Sequence, residues 1–194
     1  MLDDKQLEQI KKRVTSYIQE GVITKESNGK FVPFFITNAK NSLETARLVF
    51  TISTKKELQT TLGFSNFNGF LWVINASYYS MFYMARALLE NSKITLKTDL
   101  SVHSVTFDAF VYYFYLTEKL EKKLIEDFAD AEQEASALLG KEKAKTLIND
   151  YFHEKGKRAD FTYELGFVAL QHKAETSLQR ATHFDEEMRK IIEL

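Results

Sequence analysis

One proline and seven glycines are spread over 194 residues, and that scarcity of backbone punctuation constrains the fold more than any motif does. Proline and glycine are the strongest breakers of regular structure, so long uninterrupted stretches between them must be read for their period. The period is helical. From Asp4 to about Glu20, Leu7, Ile10, Val14 and Tyr17 fall on one stripe, with Gly21 just past the end. "VITKESNGKFVPFF" reads as a loop, and a second helix is expected after Thr37 or Asn38, carrying Leu43, Ala46 and Phe50. "GFSNFNG" leads into "NASYYSMFYMARALLENS", and "SKITLKTDLS" interrupts before helical spacing resumes over "VHSVTFDAFVYYFYLTEKLEKKL". Gly140 and Gly156 punctuate the next region. A final helix from about Leu165 to Ile192 carries Phe167, Leu170, Ala174, Leu178, Ala181, Met188 and Ile192 on one stripe. The fold expected is all-α, an antiparallel up-and-down bundle of five to six helices.

Length and charge then exclude several classes. A chain this long forms one domain burying roughly 70% of its extended-chain surface. The net charge is -1, so affinity for a polyanion has to come from a local patch. Without cysteine there is no disulfide, thiolate metal site or cysteine nucleophile. "MLDDKQLEQIKKR" lacks the apolar core of a signal peptide, and no apolar run reaches the about 18 residues that span a bilayer. A cytoplasmic protein with no membrane association is the expectation.

The helix from Asn75 to Ser92 is apolar on nearly every side. At 100° per residue, Trp72, Ala76, Tyr79, Tyr83 and Arg86 share one face, and Ile74, Tyr78, Met81, Ala85 and Leu88 share the opposite one. A central helix packed all round is implied. The run from Val102 to Leu116 has the same character. Arg86, at the end of the aromatic face, admits two readings: a buried ion pair, or a cation in an aromatic cleft that takes a phosphate or base.

A second candidate region is basic. Between Lys141 and Arg158 six basic side chains stand against three acidic ones, interleaved with Tyr151, Phe152 and His153 and followed by Phe161 and Tyr163. Cations beside aromatic rings suit phosphate contact with base stacking, and a solvated helix surface is the plainer alternative. The stretch Glu118–Glu134 carries seven acids against three lysines, which suggests a polarised surface. His172 with Glu175 and His183 with Glu186 form two His-x-x-Glu pairs lying off the final apolar stripe, toward solvent, so no metal site is assigned. His103 follows Ser101 near a helix start, where it caps, packs or enters a cleft. No phosphate-binding glycine loop, nucleophile elbow or paired-carboxylate signature is present, and no cofactor is implied.

"ASYYSMFYMARALLE" resembles the Tyr-Tyr, Met-Phe, Ala-Arg-Ala-Leu-Leu pattern of the HEPN domain family. "NAKNSLETARLVF" is similar to the helix that usually precedes it, "KTDLSVHSVTFDAF" to the next loop and helix, and "KRADFTYE" to a later element. The similarity covers roughly residues 38–193 and leaves 1–37 as an N-terminal extension of helix and loop packed on a 38–194 bundle. It implies a helical bundle, a homodimer, and RNA, a nucleotide or a minimal nucleotidyltransferase as partner, in the manner of a toxin–antitoxin pair. Active members of the family are metal-independent ribonucleases with an Arg-x(4-6)-His motif. No arginine of this chain has histidine at that spacing; the nearest approach is "RATH", Arg180 to His183. The expectation is therefore a non-catalytic binding module using Lys155, Lys157, Arg158, Tyr163 and Arg86. The alternative is a divergent ribonuclease working through the 153–163 segment, with His153 and Arg158 in the catalytic roles.

Overall fold

The computed structural model describes residues 3–26, 28–97, 102–152 and 160–192, with backbone alone across 139–152 and 160–169. Its order is α1 (Asp4–Gln19), β1 (Ile23–Thr24), α2 (Val32–Thr54), α3 (Lys56–Thr61), α4 (Phe70–Asn91), β2 (Thr95–Leu96), α5 (Val102–Phe110) running into a π turn (Val111–Tyr115), α6 (Lys122–Phe152) and α7 (Asp160–Ile192). The all-α expectation holds, and the six-residue α3 brings the count of helices to seven. Among the described residues no helix is long and apolar enough to cross a membrane.

Helix ends follow local chemistry. Asp3 and Gln6 form a reciprocal capping box at the start of α1, with bonds of 2.7 and 3.0 Å. At its far end Gly21 takes φ 69°, Val22 N–H donates to Tyr17 at 2.8 Å and Gly21 N–H to Ile18 at 3.1 Å. This is a Schellman termination. The end of α4 repeats it: Lys93 has φ 65°, and Ile94 N–H donates to the Leu89 carbonyl at 2.9 Å. Each termination turns the chain into a two-residue strand, and the two strands pair antiparallel, Ile23 opposite Leu96 and Thr24 opposite Thr95. The N-terminal helix is thereby tied to the exit of α4.

Several boundaries differ from the sequence reading. Helix α7 begins at Asp160 rather than at about Leu165, and "VHSVTFDAFVYYFYLTEKLEKKL" divides into α5, the π turn and the start of α6, with residues 116–121 outside them. Helix α2 begins at Val32, inside the stretch expected to be loop, because Pro33 sits in the first turn where its missing N–H costs nothing. Residue 37 thus lies within a helix. Gly140 does not interrupt α6, which runs through it as one helix; a single glycine costs a helix only about 1 kcal/mol. Gly156 lies outside the described residues.

Helix α4 is the hub, packed by α2, α5, α6 and α7. Its inner face buries Val73, Ile74, Tyr78, Met81, Met84, Ala85, Leu88 and Leu89. The face carrying Trp72, Tyr79, Tyr83 and Arg86 is exposed or half-exposed, so α4 is not enclosed all round as its composition suggested. Rings of Phe110, Phe128 and Phe184 meet mutually at 5.6–5.7 Å in the centre. Of the expected stripes, Ile10 and Val14 on α1, Leu43 and Ala46 on α2, and Ala174, Ala181 and Met188 on α7 are buried, while Leu7, Tyr17, Phe50, Leu170, Leu178 and Ile192 are half-buried; the Phe167 side chain lies outside those described. Gly69, at the entrance of α4, leaves room for α2, since a Cβ there would lie 2.4 Å from the Val49 side chain. Nearby, Gln59 is buried and its amide donates to the carbonyls of Ile52 and Phe67, pinning the turn between these helices.

The π turn explains the aromatic run after α5. Leu116 N–H donates to Val111 O and Lys119 N–H to Phe114 O, both five residues back. That extra residue per turn keeps Phe110, Val111 and Phe114 on the buried side, while Tyr112, Tyr113 and Tyr115 stay half-exposed.

Charges pin the helices together. Arg13 on α1 grips Asp108 on α5 with two bonds of 2.6 and 2.7 Å. The Asp108 side chain is 3% exposed, whereas that of Arg13 is 47% exposed. The acidic face of α6 is also engaged: Arg180 on α7 lies within 3.6 Å of Asp127, Asp130 and Glu134, and Lys123 bonds Asp127 at 2.7 Å. The carboxylates expected to form an open acidic surface thus serve the α6–α7 contact in part.

Replacing Arg13 by Met should cost about 3 kcal/mol, because Asp108 is left buried without its cation. Adding Asp108→Asn should recover a substantial part of that loss. Urea denaturation of the single and double variants checks this, and simple additivity of the two losses would rule out the pairing as the cause.

Candidate functional site

On the outer side of α4, residues one turn apart present Tyr79, Tyr83 and Arg86 in succession, with Tyr78 and Phe82 beside them. Helix α5 lays His103 across this surface. The imidazole is 4.4 Å from the Phe82 ring, 5.6 Å from Tyr78 and 5.7 Å from Tyr79. The Tyr78 hydroxyl and His103 Nδ1 share a hydrogen bond of 2.7 Å. If the phenol donates, Nε2 keeps the ring proton; if Nδ1–H donates, Nε2 is an acceptor. In both cases Nε2 has no partner among the described residues and the ring is half-exposed.

Arg86 lies one turn beyond Phe82. Its guanidinium sits over the Phe35 ring of α2, 4.8 Å from the centroid. Among the described residues no carboxylate comes within ion-pairing distance of it. Burial pulls the Arg86 guanidinium below its ordinary value, opposed by Glu90. An arginine remains charged under any such shift, so the site holds a fixed cation with an aromatic floor.

That cation shapes its neighbours. Burial, and after it the charge of Arg86, depress the His103 imidazole below 6.5, so the ring is neutral at physiological pH. Burial raises the Tyr78 phenol far above its ordinary value, with Glu132 and Tyr79 adding to the effect. Glu132 is itself raised, first by burial and then by Asp108. A fixed positive charge, a neutral imidazole with one open nitrogen and several tyrosine rings therefore share a half-exposed surface. Chemically it can hold an anion on the guanidinium, stack a planar ring, and donate or accept one proton at Nε2.

Adjoining it, a groove of about 330 Å³ runs between α2 and α4, lined by Asn38, Asn41, Ser42, Thr45, Trp72, Asn75, Ala76, Tyr79 and Tyr83. The Asn75 Oδ1 atom is buried without a partner. Tyr79 and Tyr83 belong to both features, and their rings lie 6.1 Å apart.

Of the residues selected from sequence, Arg86 is the one whose surroundings are seen. Lys155, Lys157, Arg158 and His153 lie outside the described residues, and of Tyr163 only the backbone, within α7, is described. His172, Glu175, His183 and Glu186 are exposed, as the helical wheel placed them, and no metal-holding cluster occurs among the described residues. Sequence reasoning missed Phe35, which it assigned to a loop, and the pairing of Tyr78 with His103. The one available signal for that pair was a histidine at a helix start following a Tyr-Tyr helix. No known protein family, curated protein or solved structure matches the chain.

A depressed histidine makes a signed prediction. Below pH 6.5 the unfolded chain protonates His103 while the native ring stays neutral, so stability is lost as pH falls through the native value. Glu132, raised from 4.5, acts oppositely: its contribution is present at low pH and is lost as pH rises through its native value. Thermal melts between pH 7.5 and about 5 should therefore fall less steeply for His103→Gln than for wild type. Parallel curves would rule out a half-buried imidazole held neutral in the native state.

Proposed function

We propose that this chain is a HEPN-like helical module that binds RNA or a nucleotide, with Arg86 holding a phosphate and the tyrosine face receiving a base. The carrying observation is the half-exposed Arg86 guanidinium, seated on Phe35 with no carboxylate partner among the described residues. A cation kept partly desolvated, with no carboxylate at ion-pair distance among the described residues, suits an anion that arrives from outside. Rings of Tyr79 and Tyr83 alongside supply the stacking surface that single-stranded nucleic acid uses. The all-α bundle agrees with the family resemblance, which rests on the motifs in α2, in α4 and leading into α5, and on "KRADFTYE". Lys155, Lys157 and Arg158 enter this reading on sequence alone, as further phosphate contacts. The homodimer and the nucleotidyltransferase partner follow from the same resemblance.

The second reading, a metal-independent ribonuclease, gains one specific observation: the Tyr78–His103 hydrogen bond leaves Nε2 without a partner among the described residues, on a ring that feels the Arg86 charge. A neutral imidazole near a phosphate-holding arginine is suited to general acid–base transfer. We rank it second because the Arg-x(4-6)-His motif is missing.

Fluorescence anisotropy with a labelled single-stranded RNA, in chelator and over a range of salt, tests both. Arg86→Ala should weaken binding at least about tenfold, and the salt slope should fall by about one. Its melting curve should change by only the loss of a cation–π contact, about 0.5–2 kcal/mol. Replacing Lys157 and Arg158 together by Ala should lower affinity and slope further. Unchanged affinity in Arg86→Ala, or a stability loss of about 3 kcal/mol or more typical of a broken ion pair, would reject the assignment. RNA cleavage by wild type that disappears in His103→Gln would move the ribonuclease reading ahead, and loss in His153→Ala would place it in the 153–163 segment.

A further inference from the structure

Asn75, Tyr79, Tyr83 and Arg86 follow one another along α4 in steps of four, four and three residues. Eleven residues make about three helical turns, so Asn75 and Arg86 lie on nearly one line of the helix surface. The Arg86 end of that line carries the cation over Phe35. The Asn75 end enters the groove between α2 and α4, whose lining includes no charged side chain. Tyr79 and Tyr83 stand between the two ends and border the same groove.

The hydrogen-bonding capacity of the groove is one-sided. Asn38 Nδ2 donates to the Phe34 carbonyl at 2.8 Å, which leaves its Oδ1 as the uncommitted end of the amide. Thr45 Oγ1 gives its proton to the Asn41 carbonyl, also at 2.8 Å, and keeps only lone pairs. Asn75 is the third polar group. Its Oδ1 is buried without a partner, and of the buried side-chain atoms in that condition it alone belongs to a residue lining this groove. Neither end of the Asn75 amide is hydrogen-bonded among the described residues, so turning it toward the groove breaks no bond. A buried acceptor left unmet is unfavourable, and a ligand donor that meets it recovers the loss. The groove therefore offers two committed acceptors, and one amide that presents an acceptor and a donor side by side.

We infer that this groove selects adenine, and that Asn75 is the residue that reads it, on a single strand whose phosphate lies on Arg86. Adenine alone among the RNA bases has no carbonyl oxygen. Its edges carry an amine that donates beside ring nitrogens that accept, the pair that a carboxamide matches with its own oxygen and NH2. Guanine, cytosine and uracil each bring a carbonyl, whose lone pairs would face those of Asn38 and Thr45. No cation in the lining relieves that repulsion. Trp72, 61% exposed, borders the groove with Tyr79, and aromatic faces of this kind take the flat of a purine. A strand reaching from Arg86 to Asn75 passes both tyrosine rings. The base assignment rests on Arg86 holding the phosphate of that strand, and adds to it which base is held.

Hexanucleotides of adenosine, inosine and uridine, labelled alike, test this by fluorescence anisotropy in chelator at one salt concentration. Inosine keeps the purine ring and exchanges the amine for a carbonyl, so it isolates the contact without altering the protein. The adenosine strand should bind about tenfold tighter than the other two, toward the low end of what one bidentate contact discriminates. Asn75→Ala should bring the adenosine strand down to the inosine level and leave the inosine affinity unchanged. Its melting temperature should match that of wild type, because the amide removed has no bond within the described fold. Equal affinities for adenosine and inosine, both lowered by Arg86→Ala, would overturn the base assignment and leave the Arg86 reading standing. An adenosine preference that survives Asn75→Ala would take the base out of this groove. A lowered melting temperature in Asn75→Ala would show the amide already bonded within the fold, which also overturns its role. Failure of every strand to bind would sink both readings together.

Discussion

The packing of α2 on α4 is the contact on which the rest of this structure depends. Small side chains, Ala39 and Ala46 on α2 and Gly69 at the entrance of α4, let the two backbones close. With that distance fixed, the large residues of α4 are turned to the opposite side, where α5, α6 and α7 bury them. A fully buried Leu, Met or Phe contributes roughly 1.5–3 kcal/mol, and among the described residues α4 carries more buried positions than any other helix. The outer face follows as a remainder: once one side of α4 is committed to the core, Trp72, Tyr79, Tyr83 and Arg86 have to lie along the groove. The candidate site is a product of the packing that makes the core.

Charged groups refine that arrangement. Asp108 and Asp127 are nearly fully buried, and each is held by an arginine from another helix, Arg13 from α1 and Arg180 from α7. Burying a carboxylate is unfavourable unless its partner arrives in one geometry, so such pairs select among otherwise similar helix packings. Arg86 is the contrast. It is more deeply buried than Arg13, yet among the described residues its guanidinium lies over a phenylalanine ring and only Glu90 acts on it, without an ion-pair contact. The difference between a cation facing carboxylates and one facing rings separates the structural arginines of this fold from the one read as functional.

The candidate arginine and the groove lie on the same two helices, α2 and α4. Tyr79 and Tyr83 line that groove and stand on the same face of α4 as Arg86, so a planar group in the groove would meet tyrosine rings along one wall.

The sequence by itself determined the helices. With so few glycines and a single proline, hydrophobic period had no competitor, and the described stripes on α1, α2 and α7 are buried or half-buried as their spacing required. Pro33 and Gly140 were misjudged as breaks because a breaker's effect depends on its position within a turn and on what packs over it, which local pattern does not contain. Tertiary structure alone decided which face of α4 was covered: Tyr78 and Tyr79 are adjacent in sequence, and only the arrival of α5 assigns one to the core and the other to the groove. It alone set Phe35 under Arg86 and joined Tyr78 to His103, contacts between residues 51 and 25 positions apart. Periodicity fixes a side chain's direction about its own helix axis. What lies in that direction is fixed by how several helices fill space together.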